Sequence, residues 1–285
     1  MRRTLTLTLA VASAVALSAC QKAADSEVNR AMQAVNAIDD NNLSEIMLTV
    51  ADPNEAVTYF RRASAEQPTR IDLKRGLAIS LVRARKNVEG ARAWSEVVAM
   101  EGSNHADEVE LADALIRAGR WDTAEATLDS VPPTYETFKR YRLEAMIADG
   151  NKEWSRADSF YETAIGLTTQ PANVMNNWGY SKLTRGDYPG AERLFTEAIQ
   201  YDRDLFTAKN NLALARAAQR KYELPLVEMS QIERAQMMHT VALAAVKQGD
   251  VTIGKGLLQE AIDTHPQHFE EAVRALRALD VKVTN

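Results

Sequence analysis

The first side chain here that could do chemistry is a lone thiol. Cys20, in Leu17-Ser18-Ala19-Cys20, is the only cysteine among 285 residues. One thiol cannot close a disulfide within its own chain. A nucleophilic thiolate needs a nearby base or positive field to lower its pKa, whereas Cys20 ends a run, Thr4 to Ala19, that carries no charge. Its sulfur is better suited to serve as an attachment point. The four histidines are His105, His239, His265 and His268, and none sits in an H-E-x-x-H arrangement. His265 and His268 have a metal-like spacing, but Pro266 ends one helical pattern between them and the next begins after it. Gly254-Lys255-Gly256 lacks the rest of a phosphate-binding loop, no G-x-S-x-G occurs, and paired acids such as Glu270-Glu271 read as solvated. These residues argue against an enzyme and require no metal or cofactor.

The stretch before Cys20 is a different material from the rest. Met1-Arg2-Arg3 is a short basic region, and the apolar run after it is too short to span a bilayer but fits a secretory leader. A branched apolar residue, two small residues and a cysteine match the lipobox of bacterial lipoproteins. That resemblance implies cleavage between Ala19 and Cys20, a diacylglycerol on the Cys20 sulfur and an acyl chain on the new amino terminus. Gln21, where an Asp would favour inner-membrane retention, resembles the outer-membrane case. The expected location is the periplasmic face of an outer membrane, with the lipid as the membrane contact.

Elements come next. The chain is 46% hydrophobic and 26% charged with 12 glycines and 8 prolines, a composition that favours a folded, helix-rich protein. Its formal charge of −5, without a Lys/Arg block, argues against nucleic acid as a partner. A period of 33–35 residues runs through it. The clearest unit, "NVMNNWGYSKLTRGDYPGAERLFTEAIQYDRD", resembles the tetratricopeptide repeat, a 34-residue helix-turn-helix. Trp178-Gly179 fits the first helix, Gly186-Asp187-Tyr188 the turn, and Ala191, Phe195 and Ala198 the small-large-small face of the second helix. Lys182 stands where the family usually has Tyr, and Arg203 where it has Pro. The same face recurs at Ala157, Tyr161 and Ala164; at Ala124 and Leu128; at Ala91, with Ser95 in the large position; at Ala56, Phe60 and Ala63; and at Gly254, Leu258 and Ala261. The expected fold is all-α, a right-handed superhelical solenoid. Residues 1–19 are the leader and 20–38 a lipidated tether with a short helix. Residues 39–267 form about seven hairpins, and 268–285 a capping helix and tail. The sixth hairpin is shortened by about five residues, and Pro225 falls where its second helix must start or break.

Solenoids of this family bind along the face of their first helices. Carried onto this chain, the family's groove positions are Asn173, Asn176, Asn177, Tyr180 and Leu183 in one repeat. In the next they are Thr207, Asn210, Asn211, Leu214 and Ala217. They are rich in asparagine and poor in lysine. An amide both donates and accepts, so it suits an extended peptide backbone; the same residues also fit a role as ordinary exposed polar groups.

The leader, the acidic tether, the opening "DPNEAVTYFRRASAEQPTRIDLKRGLAISLVRA" and the later "NNWGYSKLTRGDYPGAERLFTEAI" resemble TadD-type lipoproteins of tight-adherence (Tad/Flp) pilus machines. The resemblance implies a tethered scaffold that helps the outer-membrane secretin, or another pilus component, assemble and localise. Two other readings stay open. One is a different envelope repeat lipoprotein, such as a pilotin of type IV pili or an adaptor for cell-wall hydrolases. The other is an envelope enzyme with a cryptic site, for which the residues give no reason.

Overall fold

A computed structural model describes residues 43–281. Cys20, the leader and the tether helix expected within 20–38 lie outside the described residues. All regular structure among the described residues is helical. The chain divides at Val131–Pro132 into two compact units. The first holds α1 (residues 43–49), α2 (Pro53–Glu66), α3 (Ile71–Arg83), α4 (Asn87–Val98), α5 (His105–Arg117) and α6 (Trp121–Asp129). The second holds α7 (Phe138–Gly150), α8 (Trp154–Gly166), α9 (Ala172–Thr184), α10 (Tyr188–Tyr201), α11 (Phe206–Ala218), α12 (Gln231–Lys247), α13 (Val251–Thr264) and α14 (Glu270–Val281). Within each unit, helices pack against their neighbours in sequence, first helix to second helix.

The turns carry the period more faithfully than the side chains do. Arg85, Gly119, Lys152, Gly186, Arg220 and Gly249 all have positive φ and end the first helix of each hairpin, at intervals of 34, 33, 34, 34 and 29 residues. The residue after each donates its N–H five positions back, as in Asp187 to the Lys182 carbonyl at 2.9 Å and Arg120 to the Leu115 carbonyl at 2.8 Å. This closes the helix end with a left-handed residue that glycine adopts without strain. Arginine or lysine at three of the six positions costs about 1 kcal/mol each. The repeat's geometry evidently outweighs that cost.

Second helices supply the core. Ala191, Phe195 and Ala198 are fully buried with Leu212 and Ala208 of α11. Ala157, Tyr161 and Ala164 play the same part with Ala145 and Val174, and Ala56 and Phe60 do so with Leu73 in the first unit. The small residues let neighbouring helices approach, and the large one fills the space between. In α4 the large position is not Ser95, whose hydroxyl bonds back to the Ala91 carbonyl; the adjacent Trp94 is buried there instead.

The sixth hairpin keeps only its first helix. Residues 219–230 contain no helix, so the second helix that Pro225 was expected to start or break does not form. Proline lacks an N–H and biases Leu224 away from helix. The segment covers the core with side chains instead: Val227 packs against the Phe195 cluster, and Leu224 and Met229 against Met237 and Val241. The chain then re-enters helix through a capping box, with Ser230 and Glu233 bonded to each other's backbone N–H. At the end of this unit, Phe269 and, from α14, Ala272, Leu276 and Leu279 cover Leu258, Ala261 and Met238 of α13 and α12.

Candidate protein-binding face of the second unit

The first helices of the second unit, α7, α9, α11 and α12, carry the predicted groove positions, and polar networks fix their spacing. Asp158 on α8 is one hub. It accepts hydrogen bonds from Trp178 Nε1, Lys182 Nζ and Arg185, all on α9 or its end. Lys182, unusual for its place in the repeat, is thereby explained: its ammonium lies 3.0 Å from Asp158 and 3.5 Å from Asp187. Trp178 also stacks on Tyr161, ring centres 6.1 Å apart. Burial alone would raise the Asp158 pKa, but these bonds hold it below the ordinary carboxylate range. Asp149, bonded to the Ser181 hydroxyl, goes the other way: burial pushes it up, and the Ser181 bond and Arg185 only partly oppose that. Farther along, Glu192 accepts from Arg216 and Gln219, each at 3.0 Å, and the buried Lys209 pairs with Glu233 at 3.0 Å.

The predicted asparagines separate into two groups. Asn176 and Asn211 are buried, 8% and 9% exposed, and Asn211 Nδ2 donates to Asn176 Oδ1 at 3.0 Å across 35 residues. Asn210 accepts from the Thr240 hydroxyl at 2.7 Å. These three amides tie one first helix to the next. Asn173 and Tyr180 remain exposed and Asn177 half-buried, so they stay open to a partner. Thr207 is exposed, Leu183 and Leu214 are half-buried and Ala217 is buried.

An apolar cleft of about 570 Å³ lies between α11 and α12, walled by Leu214, Ala218, Leu243 and Ala244, with Thr240, Lys247 and Gln248 as its polar members. Leu243 stands 29 residues after Leu214, as the turns Gly249 and Arg220 are 29 apart, and it corresponds in turn to Tyr180. Leu243 and Tyr180 are 46% and 52% exposed and Leu214 is half-buried, so one position of three successive first helices carries a bulky side chain that is exposed at two of them. The sequence reading missed Leu243, Thr240 and Lys247. Shortening of the sixth unit shifted the register, and only the turn positions restore it.

His239 and His265 pack on Phe269, ring centres 5.4 and 4.9 Å away, and His268 Nε2 lies 2.9 Å from Glu270. Gly254, of the Gly-Lys-Gly run, is inside α13 and faces Val246. Among the described residues no group of three or more His, Cys, Asp or Glu could hold a metal ion. None of their helices is long and apolar enough to cross a membrane.

Residues 176–224 match the family model for the tetratricopeptide repeat. Among solved structures, a tetratricopeptide repeat protein from Parabacteroides merdae aligns with a TM-score of 0.56 at 12% identity, covering 84% of this chain and 96% of that one. A chain of the APC/C hetero-tetramer Cut9–Hcn1 gives a TM-score of 0.56 at 15% identity, over 80% of this chain. This chain spans 46% of that longer one. A thermophilic repeat protein of Thermus thermophilus gives 0.51 at 16% identity, over 61% and 95% of the two chains. At such identities the likeness is one of fold. No curated protein matches the chain in sequence.

Proposed function

We propose that the chain is a tetratricopeptide-repeat protein and a non-catalytic scaffold that binds an envelope protein along the first-helix face of its second unit. The observation that carries this reading is the row Tyr180, Leu214 and Leu243. Bulky side chains recur at one position of successive first helices, Tyr180 and Leu243 exposed and Leu214 half-buried, and the two leucines wall a cleft of about 570 Å³. Exposed apolar groups aligned over ordered amides favour a protein segment over a small polar ligand. The anchor in this proposal is Cys20, lipidated after cleavage at Ala19, at the periplasmic face of the outer membrane. Each buried methylene of an acyl chain contributes about 0.8 kcal/mol, so several chains hold the protein at the membrane nearly irreversibly. Tethering raises the face's effective concentration for other envelope proteins toward roughly the millimolar range, so a weak site suffices. The partner we favour is the secretin, or another outer-membrane component, of a Tad/Flp pilus.

The test combines anchor and face. Cys20→Ala is expected to release an intact repeat domain from the membrane and abolish pili. A photoreactive residue in place of Tyr180 or Leu243 is expected to cross-link the secretin in cells. Pili that persist with Cys20→Ala would sink the tether, and cross-links to cell-wall hydrolases alone would sink the pilus assignment.

A further inference from the structure

The first described helix carries an apolar stripe that stays largely uncovered among the described residues. α1 is held from one side. Met47 and Leu48 pack against the Phe60 cluster, and the Ser44 and Tyr59 hydroxyls lie 3.3 Å apart. Arg83 donates to the Met47 carbonyl at 3.2 Å and to the Ala51 carbonyl at 3.3 Å. Leu43, Ile46 and Val50 are left 40%, 52% and 80% exposed. Val50 continues the last turn, its N–H donating to the Ile46 carbonyl at 2.9 Å, so spacings of three and four put all three on one helical face. Stacked repeats need a polar outer face at each end. At the other end of the chain α14 supplies such a cover.

The matching pattern lies just upstream in the sequence. Residues 26–38, outside the described residues, read "SEVNRAMQAVNAI" and are joined to α1 by Asp39-Asp40-Asn41-Asn42. Counted back from that link, Ile38, Val35 and Ala31 repeat the spacings of three and four that Leu43, Ile46 and Val50 show counted forward. Two antiparallel helices rise equally per residue, so this register sets Ile38 against Leu43, Val35 against Ile46 and Ala31 against Val50. At helical spacing Met32 and Val28 widen the same face, and Asn29, Arg30 and Gln33 fall on the other. A link of four residues is an ordinary helix–helix connection.

We infer that residues 26–38 dock on α1 as an antiparallel helix, Val35 against Ile46, and cover the apolar stripe that begins the first unit. A second copy fits less well, since three side chains fall far short of the roughly 1,000 Å² that a specific interface buries. A bilayer surface also fits less well. Glu45, Asp52 and Glu55, next to the stripe in sequence, are exposed and repel anionic headgroups. A segment four residues away meets neither objection, because its link holds it at an effective concentration of roughly millimolar. Docking also shortens the tether. Between Cys20 and the fold it leaves residues 21–25, which span at most about 18 Å, whereas residues 21–42 fully extended span about 75 Å. The docking is independent of the proposed lipid and partner; the shorter reach from the membrane rests on the lipid.

The experiment records methyl–methyl NOEs in the full chain, labelled at Ile, Leu and Val, in nanodiscs of phosphatidylethanolamine and phosphatidylglycerol. NOEs from Val35 to Ile46 and from Ile38 to Leu43 are expected. Val35→Asp is expected to erase them and to speed amide exchange in α1 about tenfold. Unchanged methyl shifts of Val57 and Leu73 check that the first unit stays folded in that variant. Val35→Leu is expected to retain the contacts, and Gln33→Asp, on the polar side, to change neither contacts nor exchange. Absence of the NOEs in the unmodified chain overturns the proposal, as does a Gln33→Asp effect equal to that of Val35→Asp. Broadening of the Ile46 methyl by a spin-labelled lipid, without those NOEs, would assign the stripe to the membrane. NOEs seen only between differently labelled copies in a mixed sample would assign it to a second copy. Either result refutes the docking.

Discussion

Two glycines in helix interiors should respond to the same substitution with opposite signs. A Cβ built on Gly179 would lie 2.7 Å from Cε1 and 2.9 Å from Cδ1 of Phe195, whereas one on Gly256 meets nothing within 4 Å. Alanine gains about 1 kcal/mol over glycine in a helix interior, so Gly256→Ala should stabilise by about that amount. At Gly179 the same gain is opposed by overpacking of about 1–3 kcal/mol. Phe195 cannot swing aside, being fully buried between Ala191 and Ala198. Gly179→Ala should therefore destabilise by about 1 kcal/mol, leaving the two variants about 2 kcal/mol apart. For a unit of this size that separates the melting midpoints by roughly 4–8 °C. Urea and thermal unfolding followed by far-ultraviolet circular dichroism measures it. Adding Phe195→Leu should make the Gly179→Ala change cheaper, with a coupling energy of about 0.5–3 kcal/mol. If Gly179→Ala stabilises as much as Gly256→Ala, the close helix approach argued here is wrong.

Two further predictions concern the polar networks. Asn176→Ala and Asn211→Ala should each cost about 1–3 kcal/mol, because each strands the other's buried amide, and the double variant should cost less than their sum; strict additivity in urea unfolding would mean the bond contributes nothing. The two aspartates should give stability opposite pH dependences. Asp158 has a depressed folded pKa, so its contribution is present above the unfolded Asp value near 4 and is lost as pH falls through the folded one. Asp149 has a raised folded pKa, so its contribution is full below about 4 and is lost as pH rises through the folded value. Asp158→Asn should thus cost more at pH 7 than at pH 3, and Asp149→Asn should remove a decline above pH 4. Unfolding midpoints between pH 3 and 7 that shift equally for both variants would contradict this.

The alternation of small and large residues in second helices was legible because it is local. Ala191, Phe195 and Ala198 lie on one face whatever the rest of the chain does, and so do Ala157, Tyr161 and Ala164. The turn after α9 was legible through Gly186, yet Arg85, Lys152 and Arg220 hold the same backbone conformation, and nothing in their side chains announces it. Trp94 taking the place foreseen for Ser95 is a one-residue rotation that packing decides. The fate of the sixth hairpin was half legible: Pro225 forbids a helix through it, but only the packing of Leu224, Val227 and Met229 makes an irregular segment an adequate cover.

The binding face divides along the same line. Sequence by itself determined which residues share it, since the helical period and the 34-residue repeat place Asn173, Asn176, Asn177, Tyr180, Asn210 and Asn211 together. Tertiary structure alone decided which of them are available. Asn176, Asn210 and Asn211 are engaged by groups 30–35 residues away, while Asn173 and Tyr180 are left exposed and Asn177 half-buried. The reason is that hydrogen bonds saturate: an amide satisfied by a neighbouring helix has little left for a partner, and that helix's approach is set by stacking, which no single repeat encodes.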